Sequence, residues 1–166
     1  MDHEIGSTPS DRSPWLPPRW FVRLAWVVHR AIHRLSGGRR GLALPRAGKA
    51  GYLRLHTIGR RSGQEREAIL AYFADGSDLV TLAMNGWADP EPAWWLNLVA
   101  QPDATVDLKD GSRPIRARVA QGEERTRLWA RFDEFASWGT DLDAYARRRS
   151  HETAVVVLEP RSSLGL

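Results

Sequence analysis

Two glycine-bounded turns carry the residue types that could do chemistry. The first, Gly59-Arg60-Arg61-Ser62-Gly63, sets two guanidinium groups, a hydroxyl and several backbone N–H groups between residues that tolerate positive φ. Planar guanidinium donors grip phosphate or carboxylate through paired hydrogen bonds, so this turn suits an anion. Gln64 and Arg66 lie just beyond it and can add donors. The spacing is not that of a P-loop, which needs G-x-x-x-x-G-K-[ST]. On composition alone, a solvated basic turn fits equally well. The second turn, Asn85-Gly86-Trp87-Ala88-Asp89-Pro90, leads into a helix and can present N–H groups to ring heteroatoms or a carboxamide edge. Trp94, Trp95 and Asn97 follow it. Adjacent helical side chains diverge by about 100°, so one of the two tryptophans should face the core and the other a cleft. Core packing is the plainer reading of either.

Other chemistries find little support. The absence of cysteine removes disulfides, thiolate metal sites and cysteine nucleophiles. The five histidines show ligand-like spacing only at His29 and His33, without a supporting glutamate motif, and no metal is expected. There is no G-x-S-x-G elbow. Glu123-Glu124 reads as favourable charge at a helix start rather than a hydrolytic pair. The net charge of +4 asks for an anionic partner, yet the arginines are scattered rather than striped, and no nucleic-acid module is present. An anion clamp with aromatics and no acid–base set points to a cofactor that carries the chemistry. Eight tryptophans supply the flat surfaces for such a site.

The elements that must hold these turns can be read from periodicity. Residues 1–18, rich in Pro, Ser and charge, read as a flexible arm, and 19–166 as one domain. Trp20, Phe21, Leu24, Val27, Val28, Ala31, Ile32 and Leu35 recur at helical spacing, with arginines largely off that stripe. The helix either packs on the core or also rests on anionic lipid or an apolar substrate. No signal-peptide core is visible, and no apolar run approaches the roughly 20 residues that span a bilayer. The expected location is therefore cytoplasmic, with membrane association through this helix as the alternative to core packing.

Tyr52 to Thr57 suggests a first strand, stopped at Gly59. Arg66 to Phe73 and Asp78 to Met84 form a hairpin around Asp75-Gly76, and Pro92 to Ala100 a short helix with Pro92 in its first turn. Ala104 to Leu108 and Arg113 to Gln121 make a second hairpin. In the latter strand Ile115, Ala117 and Val119 alternate with Arg116 and Arg118, predicting one wet face. Helices follow from Gly122 and over Leu142 to Arg149, and the apolar run Thr153 to Leu158 reads as a buried last strand. Short hairpin-linked strands with inserted helices predict an α+β domain on an antiparallel barrel or sheet.

With these motifs in order, the chain resembles the deazaflavin (F420)-dependent nitroreductase family. The resemblance rests on Thr57-Ile58-Gly59-Arg60-Arg61-Ser62-Gly63-Gln64-Glu65-Arg66, on Asn85 through Leu98, on Gly122 to Trp129, and on the Val155 to Pro160 end. It covers most of the chain from about Trp20. It implies an antiparallel split β-barrel with an N-terminal amphipathic helix, and coenzyme F420 as cofactor, with FMN as the less favoured alternative. It implies that Arg60, Arg61, Ser62, Gln64 and Arg66 hold the phosphate and glutamyl tail. Leu82, Ala83, Met84 and Asn85 would line the deazaflavin, with Trp94 and Asn97 closing that side.

The expected reaction is hydride transfer to a small hydrophobic electron-poor acceptor: a quinone, enone or nitro compound. Trp138 and Tyr145, in the segment where relatives place several tyrosines, are the catalytic candidates on the acceptor side. Glu65 stands where proline is usual, which implies a more mobile and less positive turn. The competing reading is a non-catalytic module on the same barrel, binding a lipid, flavin or haem. Either reading fits a monomer or homodimer.

Overall fold

Alternation along the first strand sets the architecture. In β1 (Gly51–Ile58), Leu53, Leu55 and Thr57 are buried, while Tyr52, Arg54 and His56 turn outward. A strand with one apolar and one polar face is stable only in a sheet that covers the apolar side. Here the sheet closes on itself. The computed structural model describes residues 41–135 and 141–161, all within the unit Gly41–Leu166. The arm, the helix expected from Trp20, and Trp138 lie outside the described residues. β2 (Glu65–Asp75), β3 (Asp78–Leu82), β4 (Asp103–Leu108), β5 (Gly111–Val119) and β6 (Val155–Pro160) complete a closed barrel. Its strand order is β1-β2-β3-β6-β5-β4, every pairing antiparallel. This is the barrel the sequence predicts.

Among the described residues three helices occupy the connections: α1 (Ala93–Ala100), α2 (Gly122–Phe132) and α3 (Leu142–Ala146). Leu53, Leu55, Leu70, Leu79, Val106, Ile115, Val156 and Leu158 fill the barrel, and α1 adds Trp94, Trp95 and Leu98 to that cluster. A second cluster lies on the other face of β2, β3 and β6. There Phe73, Val80, Leu82, Val155 and Val157 meet Leu128 and Phe132 of α2 and Leu142 of α3. The Phe73 ring stacks on Phe135 (5.3 Å between centroids) and meets Phe132 edge-on. β6 therefore has side chains in both clusters, which is why its sequence is an unbroken apolar run. Asp75, at the β2–β3 turn, pins α2 through Arg127 (2.8 Å) and Arg131 (2.7 Å).

Several boundaries differ from the periodicity. β3 stops at Leu82, two residues before Met84, because the Ala83 amide donates to Ala154 and the Met84 amide folds back to Leu82. Pro92 is the N-cap of α1, in extended conformation, rather than a first-turn residue. α3 ends at Ala146 instead of running to Arg149. In β5 the alternation fails at the barrel rim. Val119 is 38% exposed, while Arg118 is only partly exposed, paired with Glu124 of α2 and Glu159 of β6. Because Leu55 is fully buried in the barrel, Leu55→Ala should destabilise the fold by about 3 kcal/mol. Urea unfolding with an unchanged m-value checks this.

Candidate functional site

The β1–β2 connection is a compact turn whose shape its own residues dictate. The Gly59 amide donates to the Gln64 carbonyl (2.8 Å), and the Gly63 amide donates back to the Gly59 carbonyl (2.8 Å). Gly63 sits at φ +64°, the left-handed region that glycine enters without strain. At Gly59 a Cβ would lie 2.7 Å from the Ser62 hydroxyl, so only glycine lets Ser62 fold under the turn. From there Ser62 Oγ accepts from the Gln64 amide and from Arg66 Nη2, both at 3.3 Å.

A buried amide fixes this turn to the body of the protein. Asn97 of α1 is 4% exposed. Its Oδ1 accepts from the Arg60 backbone amide (3.1 Å) and lies 3.5 Å from Arg60 Nη1, while its Nδ2 donates to Thr57 Oγ1 (3.1 Å). Asn97 was expected beside the ring; the structure gives its amide to the turn and to β1. What remains open on the turn is positive charge. Among the described residues Arg60, Arg61 and Arg66 form no ion pair, nor do Arg46, Arg113, Arg147 and Arg148, whereas Arg54, Arg116, Arg118, Arg125, Arg127, Arg131, Arg149 and Arg161 do; what marks the turn is that three unpaired guanidiniums gather on one short segment. Arg60, Arg61, Ser62, Gln64 and Arg66 are exposed. A donor set of three uncompensated guanidiniums on a shape-constrained turn fits the phosphate and carboxylates of a deazaflavin tail.

The residues expected to line the ring span the end of β3 and the segment that follows it. Leu82 and Ala83 are 2% and 0% exposed, and their side chains enter the second and first clusters respectively. Only backbone is available from them, leaving the half-buried Met84 and the exposed Asn85 to present side chains. Trp94 and Trp95 do not divide between core and cleft. Both are 9% exposed in the first cluster, packed edge-on at 6.3 Å, because α1 lies against β1 and β2 and is covered on both sides.

Tyr145 is half-buried, and its ring stacks on Trp87 at 5.7 Å and 18°. Trp87 occupies φ +60°, the one positive φ outside glycine among the described residues. Bulky side chains avoid that region, and such strain persists only where the surroundings enforce it. Here they do. Asp89 accepts from the Ser150 amide (2.6 Å) and hydroxyl (2.9 Å). Glu91 meets Arg149 Nη2 at 3.1 Å and His151 Nε2 at 3.1 Å. The Arg149 guanidinium has no exposed surface, and its Nη1 donates to the Ala83 carbonyl (3.0 Å) and to Thr153 (2.8 Å). One buried arginine thus fixes both the end of the ring-lining strand and the acidic loop that follows. Sequence reading missed Arg149 because it ends the run Arg147-Arg148-Arg149, which looks like a solvated face.

Two other features lie outside the residues expected at the site. A groove of about 470 Å³ lies between α2 and the segment after α3, lined in part by Arg125, Trp129, Asp143 and His151. Its walls are paired in part, Arg125 with Glu152 and Trp129 with Asp143; none of the expected site residues lines it, although Arg149 forms part of its wall. On the outer face of β1, ligand atoms of His56, Glu65 and Glu67 lie within 4.8 Å of one another. Both His56 nitrogens, however, face carboxylate oxygens at 2.8 Å, Glu65 on Nδ1 and Asp107 on Nε2. That pattern suits an imidazolium better than a metal ligand. No described helix is long and apolar enough to cross a membrane.

The barrel and its clamp place the protein among split-barrel proteins. By fold it is similar to a chain described as a domain-swapped dimer, with a TM-score of 0.61 at 23% identity over 82% of this chain and 99% of that one. It is also similar to an F420-H2 dependent reductase, with a TM-score of 0.57 at 26% identity over 65% and 93%. The profile of the F420H(2)-dependent quinone reductase family matches residues 26–160. An F420H(2)-dependent quinone reductase of Mycobacterium tuberculosis is 32% identical over 153 residues, covering 91% of this chain and 99% of that protein. The chain belongs to the F420H(2)-dependent quinone reductase family, a family of oxidoreductases whose cofactor is coenzyme F420.

Asn97→Leu would leave the Arg60 amide and the Thr57 hydroxyl without their buried partner. The expected loss is about 2 kcal/mol of stability, seen in chemical denaturation together with faster hydrogen exchange of the Arg60 amide.

Proposed function

We propose that this protein transfers a hydride from reduced F420 to a small hydrophobic quinone, with enones and nitro compounds as acceptors of the same kind. The observation that carries this reading is the cationic turn: three guanidiniums without carboxylate partners, held in shape by Gly59 and anchored by buried Asn97. Family membership supplies the cofactor.

When bound, the reduced deazaflavin supplies the hydride from C5. The chain's own part is placement. Arg60, Arg61 and Arg66, with Ser62 and Gln64, hold the anionic tail, and the polar Asn97 anchor keeps that grip at a fixed distance from α1. Binding energy gathered at a remote tail serves orientation at the reacting end. The backbone of Leu82 to Asn85, locked by Arg149 on Ala83, forms the wall against the ring, and Trp94 backs it from the core. Tyr145, stacked with Trp87, stands on the acceptor side, where flat rings exclude water from a planar quinone; Trp138, the other acceptor-side candidate, lies outside the described residues. A quinone that takes up a hydride needs one proton to become a hydroquinone, and the Tyr145 hydroxyl is the group we assign to hold it at the acceptor oxygen.

Arg60→Ala with Arg61→Ala should weaken F420 binding at least about tenfold, since each hydrogen bond to a charged group contributes about 1.5–3 kcal/mol. Fluorescence titration of the deazaflavin measures this, with circular dichroism to show that the barrel is intact. Wild-type protein that fails to bind at tens of micromolar, or fails to oxidise reduced F420 with a naphthoquinone, contradicts the reading.

A further inference from the structure

The outer face of the β1–β2 hairpin carries a charge cluster directly behind the cationic turn. His56 stands opposite Glu67 on β2 and Thr105 on β4, with Glu65 diagonal to it. Its Nδ1 lies 2.8 Å from Glu65 and 3.8 Å from Glu67, and its Nε2 lies 2.8 Å from Asp107. Arg54, one outward position earlier, reaches Asp107 at 3.7 Å. The charged groups facing His56 are therefore Glu65 and Glu67 from β2, Asp107 from β4 and Arg54 from β1. Three carboxylates meet one permanent cation, and a protonated His56 brings the cluster closer to balance.

Position gives this cluster its leverage. Pairing of β1 with β4 ends at His56↔Thr105, whereas pairing with β2 continues to Ile58↔Glu65. Beyond His56 the hairpin end that carries the clamp is no longer tied to β4. His56 is the last side chain to bridge the three strands on the outer face, as Asn97 anchors the turn from the inner one. Strand alternation sends Glu65 outward to His56 and Arg66 to the opposite side, against Ser62.

We propose that His56 is a positioning residue for the anion-binding turn. As an imidazolium it ties Glu65 and Asp107 across three strands and neutralises the carboxylates behind the clamp. It thereby strengthens the hold of Arg60, Arg61 and Arg66 on an anionic cofactor tail. The proposal rests on the cofactor reading above and extends it to a residue outside the clamp.

The pH dependence follows with a definite sign. Burial alone would lower the His56 pKa, but its hydrogen bonds to Asp107 and Glu65, with the charges of Asp107 and Glu67, outweigh burial and raise it above 6.5. A raised histidine pKa means that the contribution is complete below the unfolded value of 6.5 and is lost as pH rises through the folded value. Above that, the unbalanced carboxylates repel one another across the strands and oppose the tail.

The test is the dissociation constant of oxidised F420, by fluorescence, at about pH 6 and about pH 8.5 for wild type, His56→Gln, Glu65→Gln and the double variant. Titration of the cofactor itself is common to all four, so ratios between proteins isolate His56. Wild type should bind about threefold to fivefold tighter than His56→Gln at the lower pH, the size of a well-placed exposed pair, and about equally at the higher one. The double variant should regain most of the loss, because Glu67 and Asp107 then face Arg54 with one carboxylate fewer to neutralise. Glu65→Gln changes an exposed residue and should bind at least as tightly as wild type with a shallower pH dependence. A constant ratio of wild type to His56→Gln across pH, or no rescue in the double variant, overturns the proposal. If wild type binds no F420 at either pH, the cofactor reading fails. Sulfate, fully ionised throughout, then decides the role of His56 through the Gly59 to Gln64 amide shifts. Sulfate affinity that falls with pH in wild type and stays flat in His56→Gln upholds it, and identical curves overturn it.

Discussion

A single buried carboxamide holds the two halves of the site in register. Asn97 is enclosed on α1, and a buried amide is tolerated only when its donors and acceptors find partners. It finds them on Thr57 at the end of β1 and on Arg60 in the turn. Any shift of α1 along the barrel, or of the turn away from it, would strand polar groups out of water. Helix, strand end and turn therefore move as one body. α1 leads directly from the Asn85 to Pro92 loop, so the same bond fixes the distance between the turn proposed to hold the tail and the backbone proposed to line the ring.

Around that anchor, charge is divided between structure and function. Most arginines on the barrel's flank and on α2 are matched to carboxylates, as with Arg118 to Glu124 and Glu159, or Arg127 and Arg131 to Asp75. These hold helices on strands. At the turn three unmatched guanidiniums gather on one short segment and face solvent. Desolvating an unpaired cation is justified when an anion arrives, which makes unpaired arginines on a rigid frame informative. A second structural charge, the Arg149 guanidinium, is fully buried and joins Ala83, Glu91 and Thr153. It enforces the loop conformation in which Trp87 tolerates a left-handed backbone against Tyr145.

Much of this was legible in the sequence, and the rest was hidden for identifiable reasons. The barrel was readable because its strands alternate and its Asp75-Gly76 hairpin announces itself. The turn was readable as a cationic loop, though composition could not say whether its arginines were paired; that depends on which acids the fold brings near. Asn97 was singled out, yet its partners are 37 and 40 residues away in sequence. Trp94 and Trp95 were expected to separate because helical geometry rotates them apart, but a short helix across a barrel can bury both sides. Arg149 gave no signal, since a buried arginine that ends a run of three looks like surface. His56 read as an unremarkable strand residue because its partners, Glu65 and Asp107, become neighbours only when three strands align.

The account stands on the claim that the Gly59 to Arg66 turn receives the anionic tail while the backbone after β3 meets the ring. Amide hydrogen exchange with and without saturating oxidised F420 tests both halves at once. The account predicts new protection at Gly59 to Gln64 and at Ala83 to Asn85, with little change in the groove lined by Trp129 and His151. Protection confined to that groove, or none at the turn, would contradict it.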